Sequence, residues 1–230
     1  MCLGIWWCVA PSASGQEDIP VAARPEPPEP PITYWAEDTL DIRPDADADA
    51  DACLDQFRWE PDRFAVEIHP STEPGVYADV RFPSPLPSGT AETDTVHAEW
   101  YAARDQHSGV VRPAPVYVVV HESGSDMRVG RLIASSLPPL GLHGLMIQLP
   151  GYGQRRSERL DRDDLPRMIR QGVADVRRAR DAAAAIPQMQ SGGIGLQGTS
   201  LGGFVATLVG SLDGRYDAHV LLLCGGDLYG

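Results

Sequence analysis

Hydrophobic and polar residues alternate in two segments in the first half of the chain. The segments "VYADVRF" (residues 76–82) and "TVHAEWYAA" (residues 95–103) have the period of two that is typical of half-buried β-strands. The residues between them are rich in proline, glycine and serine, which favour turns. The pattern therefore predicts an antiparallel β-hairpin.

After the hairpin, short apolar runs alternate with segments of helical periodicity. Four runs rich in β-branched or small apolar residues predict strands, and the first two are typical of buried strands. These runs are residues 115–120, 142–149, 192–197 and 218–224. Apolar residues at spacings of three and four predict helices between or beside the runs, over residues 125–137, 164–186 and 200–212. The alternation predicts an α/β fold, with a mostly parallel sheet, an N-terminal antiparallel hairpin and helices on both faces.

The negative charge is concentrated ahead of these elements. Residues 16–62 hold 14 acidic residues and 3 arginines, and therefore 11 of the 13 net negative charges. This segment contains the proline-rich "RPEPPEPP" and the repetitive "DADADADA", and neither composition favours a packed core. We therefore predict a largely disordered leader over 16–62 and a folded domain over 63–230. Calcium binding by the acidic run is the alternative, but the run lacks the glycine and terminal glutamate of a calcium loop.

Residues 1–15 resemble part of a secretory signal, because an apolar stretch is followed by small residues. The stretch is too short to span a membrane. Since no positively charged residue precedes it, we expect the true start of such a signal to lie upstream. The prediction is an exported protein, periplasmic or extracellular, with no membrane span.

The composition argues against several classes of site. The chain contains no lysine, which excludes a Schiff-base lysine, a P-loop lysine and a Ser-Lys dyad. Its four cysteines form no C-x-x-C motif, which argues against a zinc or redox site. Residues 63–230 are nearly neutral, with 18 acidic residues and 16 arginines, and so offer no basic face for nucleic acid. We expect neither a metal nor a cofactor.

The stretch "GGIGLQGTSLGG" (residues 192–203) contains two overlapping patterns. From Gly193 it reads G-x-G-x-x-G, a dinucleotide-binding fingerprint that needs a strand before its first glycine. A helix ending at Pro187 precedes it instead, which argues against nucleotide binding. From Gly198 it reads G-x-S-x-G around Ser200, with a predicted strand before and a predicted helix after, as a nucleophile elbow requires. A glycine-rich turn with an incidental serine is the alternative.

Residues 76–230 resemble the α/β-hydrolase family. The resemblance is carried by the turn "GTSLGG", by the strand end "VVVHESG" and by the loop "QLPGYGQRRS". It implies a carboxylesterase-like serine hydrolase that cleaves an ester or related acyl bond of a small molecule through an acyl-enzyme. A non-catalytic binding domain of the same fold is the alternative function.

The resemblance also implies roles for individual residues. Ser200 is the nucleophile, and the main-chain N–H of Leu201 is one oxyanion donor. The second donor is the main-chain N–H of Glu122 or Ser123. Glu122 replaces the glycine that is usual in the family, and its carboxylate is unfavourable near an oxyanion unless the side chain points away. His121 shapes the oxyanion loop in this interpretation, with the general base and an incidental strand-end residue as alternatives.

The acid and the histidine of a triad follow the serine in this family. Asp227 lies just after the last predicted strand and is the candidate acid, with a loop or capping role as the alternative. His219 is the only histidine after Ser200, but it lies at the start of that strand, whereas the site lies beyond strand carboxyl ends. The chain thus has no plausible catalytic histidine. We expect a C-terminally truncated hydrolase that is weakly active or inactive by itself.

Two arginines follow the loop that comes after the second buried strand. Arg155 and Arg156 are expected to be solvated or paired surface residues. Contact with an anionic group of a substrate is the alternative.

Overall fold

The structure is a computed structural model, which describes residues 30–42, 44, 47–157 and 164–225. Its strands are β1 (Ile32–Glu37), β2 (Arg63–Pro70), β3 (Ala78–Pro83), β4 (Thr95–Tyr101), β5 (Val116–Val120), β6 (His143–Ile147), β7 (Ile194–Thr199) and β8 (Ala218–Leu222). Its α-helices are α1 (Ala48–Asp55), α2 (Ala91–Asp94), α3 (Arg128–Ser136), α4 (Leu165–Ala185) and α5 (Leu201–Asp213). The signal-like segment 1–15 and the candidate acid Asp227 lie outside the described residues.

The strands form one eight-stranded sheet in the order β1-β2-β3-β4-β6-β5-β7-β8. Neighbours from β1 to β6 are antiparallel, and β6, β5, β7 and β8 are parallel to one another. The predicted hairpin is β3–β4, in which Ala78 pairs with Trp100. The four strands predicted after the hairpin are β5 to β8, of which β8 is exposed along most of its length. The predicted fold class is confirmed, with an antiparallel part that is wider than one hairpin.

Helices cover both faces of the sheet, as the alternation predicts. Along β5, Val118 and Val120 pack in the main apolar core, which they share with apolar residues of α4 and α5. Val119 points to the other face and packs with Met127 and Ala134, at the start and in the middle of α3. Because successive side chains of a strand alternate between faces, a continuous valine run serves both layers.

The prediction of a largely disordered leader over 16–62 is wrong for two parts of that segment. The first is β1, which pairs with β2 along its whole length and directs Tyr34 and Ala36 into the core. An edge strand buries one face only, so β1 has too few apolar residues to stand out in an acidic segment.

β2, which follows the predicted leader, is a second strand that we did not predict. Its buried residues alternate with polar ones, and they are Phe64, Val66 and Ile68.

The second part is α1, which includes most of the acidic run. Asp47 caps this helix, because its carboxylate accepts the N–H groups of Asp49 (2.8 Å) and Ala50 (3.2 Å). Acidic residues in a first turn are favourable because the helix dipole is positive there. The acidic residues on which the prediction of disorder was based thus stabilise the start of α1.

Arg155 is fully buried, which contradicts the predicted surface position, whereas Arg156 is exposed. The guanidinium of Arg155 donates to the carboxylate of Asp175 in α4 (2.6 Å) and to the carbonyl of Gln148 (2.9 Å). It also donates to the carbonyl of Thr93. Burial raises the pKa of Asp175, and the Arg155 charge acts against that rise. The loop after β6 is therefore fixed to α4 by a charged pair without solvent contact.

A second set of buried charges on α4 holds the N-terminal segment. Arg177 pairs with Asp181 (2.9 Å) and with Asp213 at the end of α5 (2.7 Å). Arg178 pairs with Asp38, directly after β1. All of these side chains are almost fully buried. α4 thus connects the outer strand β1 to the helix that follows β7.

Replacement of Asp175 by alanine should lower the free energy of unfolding by about 3–5 kcal/mol, because the buried charge of Arg155 loses its partner. Urea denaturation measures the change. The matched control is Asp126→Ala, which removes the exposed pair with Arg128 and should change stability by less than about 1 kcal/mol. Similar small effects in the two variants would contradict a structural role for the buried pair.

Candidate active site

Ser200 lies in the turn between β7 and α5, and its backbone is strained. Its φ of 52° and ψ of −115° belong to a region that residues with a side chain rarely adopt. Such a conformation costs about 1–3 kcal/mol and persists only where the surroundings enforce it. The Ser200 N–H donates to the carbonyl of Leu222 (2.8 Å), and its carbonyl accepts the N–H of Phe204 (3.1 Å). The turn is therefore held from β8 and from α5.

The glycines beside Ser200 allow contacts between backbones. A Cβ atom on Gly198 would lie 2.2 Å from the carbonyl oxygen of Gly202. A Cβ atom on Gly202 would lie 2.2 Å from the carbonyl oxygen of Val120 and 2.5 Å from that of His121. The first turn of α5 thus packs directly on the end of β5. These contacts place Ser200 next to the loop that follows His121.

α5 begins at Leu201, immediately after the serine. The first N–H groups of a helix have no acceptor within the helix, and the helix dipole is positive at this end. The position of Leu201 therefore fits the predicted oxyanion donor.

His121 is fully buried and uses both ring nitrogens. Nε2 accepts the N–H of Leu149 (3.1 Å), so this nitrogen carries no proton. Nδ1 then carries the proton and donates to the carbonyl of Glu122 (2.6 Å). Burial lowers the pKa of His121, which keeps the ring neutral. These contacts fit a residue that shapes the loop and leave no ring nitrogen for a general base.

The Glu122 carboxylate lies against the start of α3. It accepts the N–H groups of Val129 (3.1 Å) and Gly130 (3.0 Å) in the first turn of that helix. Partial burial of Glu122 opposes its ionisation, but hydrogen bonds from main-chain N–H groups outweigh that effect and lower the pKa of the carboxyl. The unfavourable charge expected from the sequence is therefore directed elsewhere. Sequence reasoning missed this role, although the departure from the family's glycine was a signal.

Among the described residues, no histidine side chain reaches Ser200. His219 is level with Leu196 in the β7–β8 register, four residues before the serine, or about 13 Å along the strand. Its ring packs near Gly210, far along α5 from the turn. The remaining histidines apart from His121 are His69 in β2, His97 in β4, His107 after β4 and His143 at the start of β6.

The described residues contain no group of three or more histidine, cysteine, aspartate or glutamate side chains that could hold a metal ion. In the same part of the chain, no helix is both long enough and apolar enough to cross a membrane.

Comparison with solved structures identifies the architecture. Acetyl xylan esterase 1 from Thermoanaerobacterium sp. JW/SL YS485 superposes with a TM-score of 0.50 at 14% sequence identity, over 78% of this chain and 59% of that one. The chain has an α/β-hydrolase fold. The strand order and the strand, turn and helix around Ser200 are therefore parts of an α/β-hydrolase fold.

Two further matches superpose with lower TM-scores, although their sequence identities are higher. A cold-adapted esterase from an Arctic intertidal metagenomic library has 22% identity and a TM-score of 0.47, over 67% of this chain and 64% of that one. XC6422 from Xanthomonas campestris, described as an α/β serine hydrolase without a lid, has 17% identity and a TM-score of 0.42, over 61% and 58%. The chain spans between 58% and 64% of the lengths of these three structures. No protein-family model and no curated protein matches the sequence.

Replacement of Gly202 by alanine should distort the elbow of this α/β-hydrolase fold. Alanine normally stabilises a helical position by about 1 kcal/mol relative to glycine, but here the new Cβ atom would collide with two carbonyl oxygens. We expect a loss of about 1–3 kcal/mol in the free energy of unfolding, measured by urea denaturation. Gly225→Ala is the control, because no atom lies within 4 Å of its added Cβ. A gain of stability in Gly202→Ala would rule out the close contact.

Burial lowers the pKa of His121 and of His143 below the ordinary histidine value of 6.5. Because the unfolded chain then binds protons more readily than the folded chain, stability is fully present above pH 6.5 and decreases as the pH falls below it. Urea denaturation between pH 8 and pH 5 should show this decrease. His121→Gln should make it shallower, by up to about 1.4 kcal/mol for each pH unit. An identical pH dependence in the variant would mean that His121 is not held neutral.

Proposed function

We propose that this chain is a serine hydrolase that cleaves an ester or related acyl bond, with Ser200 as the nucleophile. The observation that carries the proposal is the strained backbone of Ser200, held between β7 and α5 by contacts that exclude side chains. Strain of this kind tends to be retained where it serves function. An incidental serine has no need of such a conformation, since a relaxed turn would join the same strand and helix.

The main-chain N–H groups of Leu201 and Ser123 are the proposed oxyanion donors. The choice of Ser123 over Glu122 rests on the loop. The N–H of Glu122 contributes to stabilising its own carboxylate, and its carbonyl is bound to His121. The next N–H along the chain, that of Ser123, is therefore the better candidate. Together with the positive end of α5, two such donors would stabilise the negative charge that develops on an acyl oxygen.

The reaction follows from these groups. Ser200 Oγ would attack the acyl carbon, the bond to the leaving alkoxide would break, and the alcohol would leave with the serine proton. Water would then cleave the acyl-serine to a carboxylic acid and restore the hydroxyl. An ester suits this site better than an amide, because an alkoxide leaves with less help from a proton donor than an amine. The acetyl xylan esterase with the matching fold is named for ester cleavage, which supports this choice.

Proton transfer is the weak part of the site in this chain. No histidine among the described residues reaches Ser200, and the proposed acid Asp227 lies outside them. We therefore propose impaired turnover by the 230-residue chain alone. The same observation favours, as a second candidate, a binding domain with this fold and no catalysis.

A fluorophosphonate probe tests the nucleophile, since it labels an activated serine without requiring turnover. We expect slow labelling of the chain, with the added mass on the peptide that contains Ser200, and none in Ser200→Ala. Ser211→Ala is the matched control. Its hydroxyl lies on the exposed side of the same helix and donates to the carbonyl of Thr207 (3.1 Å), so labelling should be unchanged.

Two results would count against the proposal. Equal labelling of the chain and of Ser200→Ala would place the reactive group elsewhere. Absence of labelling after long incubation with excess probe would favour the binding domain.

A further inference from the structure

The start of α3 lacks a cap of its own. Met127 stands at the position before the helix with a left-handed φ of 52°, and its side chain accepts no hydrogen bond. Glu122, five residues earlier, supplies the missing acceptors, because its two carboxylate oxygens take the N–H groups of Val129 and Gly130. An anion at this end of a helix is also favoured by the helix dipole. The loop between β5 and α3 is thus closed by the side chain of its second residue.

The same residue is fixed at its carbonyl. The Glu122 oxygen accepts the Nδ1–H of His121 at 2.6 Å, while the ring itself is held by the N–H of Leu149. In a planar trans peptide, the N–H of the following residue points opposite to the carbonyl. The direction of the Ser123 N–H is therefore set by two anchors, one on the carbonyl and one on the carboxylate of Glu122.

We infer that Glu122 is a positioning residue of the oxyanion hole, whose carboxylate holds the loop so that the Ser123 N–H faces the acyl oxygen. This inference rests on the proposed function, because it assigns a task to the loop in the reaction of Ser200. Glu122 itself does not touch the substrate, since its carboxylate lies against α3. Its negative charge is offset there by N–H groups, which removes the repulsion that a free carboxylate would exert on an oxyanion.

The test compares two probes that differ in one atom. A phosphonate places its P=O oxygen where the acyl oxygen lies, whereas the P=S group of a thiophosphonate is a poor hydrogen-bond acceptor. A misplaced donor of this kind costs about 10- to 100-fold in rate. Glu122→Ala should therefore lower the labelling rate of the P=O probe about 10- to 100-fold and that of the P=S probe less than about threefold. Glu122→Gln keeps one acceptor oxygen and should fall between the wild type and the alanine variant.

The matched control is Asp47→Ala, which removes a carboxylate cap with two N–H partners from α1. It should leave the ratio of the two labelling rates unchanged. An unchanged ratio of the two labelling rates in Glu122→Ala would overturn the inference. An equal fall with both probes, for example, would indicate a general structural role.

NMR tests the geometry of the loop independently of the labelling rates. The Nδ1–H of His121 is hydrogen-bonded and buried, so it should give a slowly exchanging NMR signal in the wild type and lose it in Glu122→Ala. A retained signal overturns the inference even when labelling succeeds. Absence of labelling in the wild type contradicts the proposed function and overturns the catalytic part of the inference with it.

Discussion

The contact between Gly202 and the carbonyl oxygens of Val120 and His121 is the constraint on which the site depends. It leaves no room for a side chain, so α5 lies directly on the end of β5. Because close-packed backbones have little room to shift, this contact fixes the turn at Ser200 against the end of β5. The strain at Ser200 is sustained by this contact and by the hydrogen bonds to Leu222 and Phe204. Reactive groups fixed in this way need little reorganisation during a reaction.

A chain of buried polar contacts connects the loop after His121 to the scaffold. Asp175 holds Arg155, and Arg155 binds the carbonyl of Gln148. The next N–H, that of Leu149, binds His121, which in turn binds the carbonyl of Glu122. A buried ion pair is weak evidence for stability, since its desolvation cost is large. Removal of one partner is costly, however, because the other charge stays buried and unpaired. This cost favours a single arrangement of the loop after β6. This series of contacts leads from α4 to the carbonyl of Glu122.

The sequence predicted β5 to β8 and the three long helices to within a few residues, because short continuous apolar runs and the periodicity of amphipathic helices are both distinctive. The strand, turn and helix around Ser200 were predicted for the same reason. β2 was missed although Phe64, Val66 and Ile68 alternate with polar residues, and β1 was hidden by its acidic surroundings. The burial of Arg155 had no local signal, because its partner lies 20 residues away on another element. The departure from the family's glycine marked Glu122, but its capping of α3 depends on how the loop folds back and could not be read from the sequence.

Ester cleavage by a serine needs two kinds of assistance, and the proposed function assigns only one of them to described residues. Stabilisation of the oxyanion depends on backbone N–H groups and a helix end, which the proposal places after β5 and at the start of α5. Proton transfer depends on a histidine, and among the described residues none presents a ring nitrogen to Ser200. In serine proteases from which triad members are removed, the oxyanion hole and substrate binding still accelerate the reaction about 10³- to 10⁴-fold. The two contributions are therefore separable. Under the proposed function, the first contribution by itself favours reaction with activated acyl groups over turnover of ordinary esters.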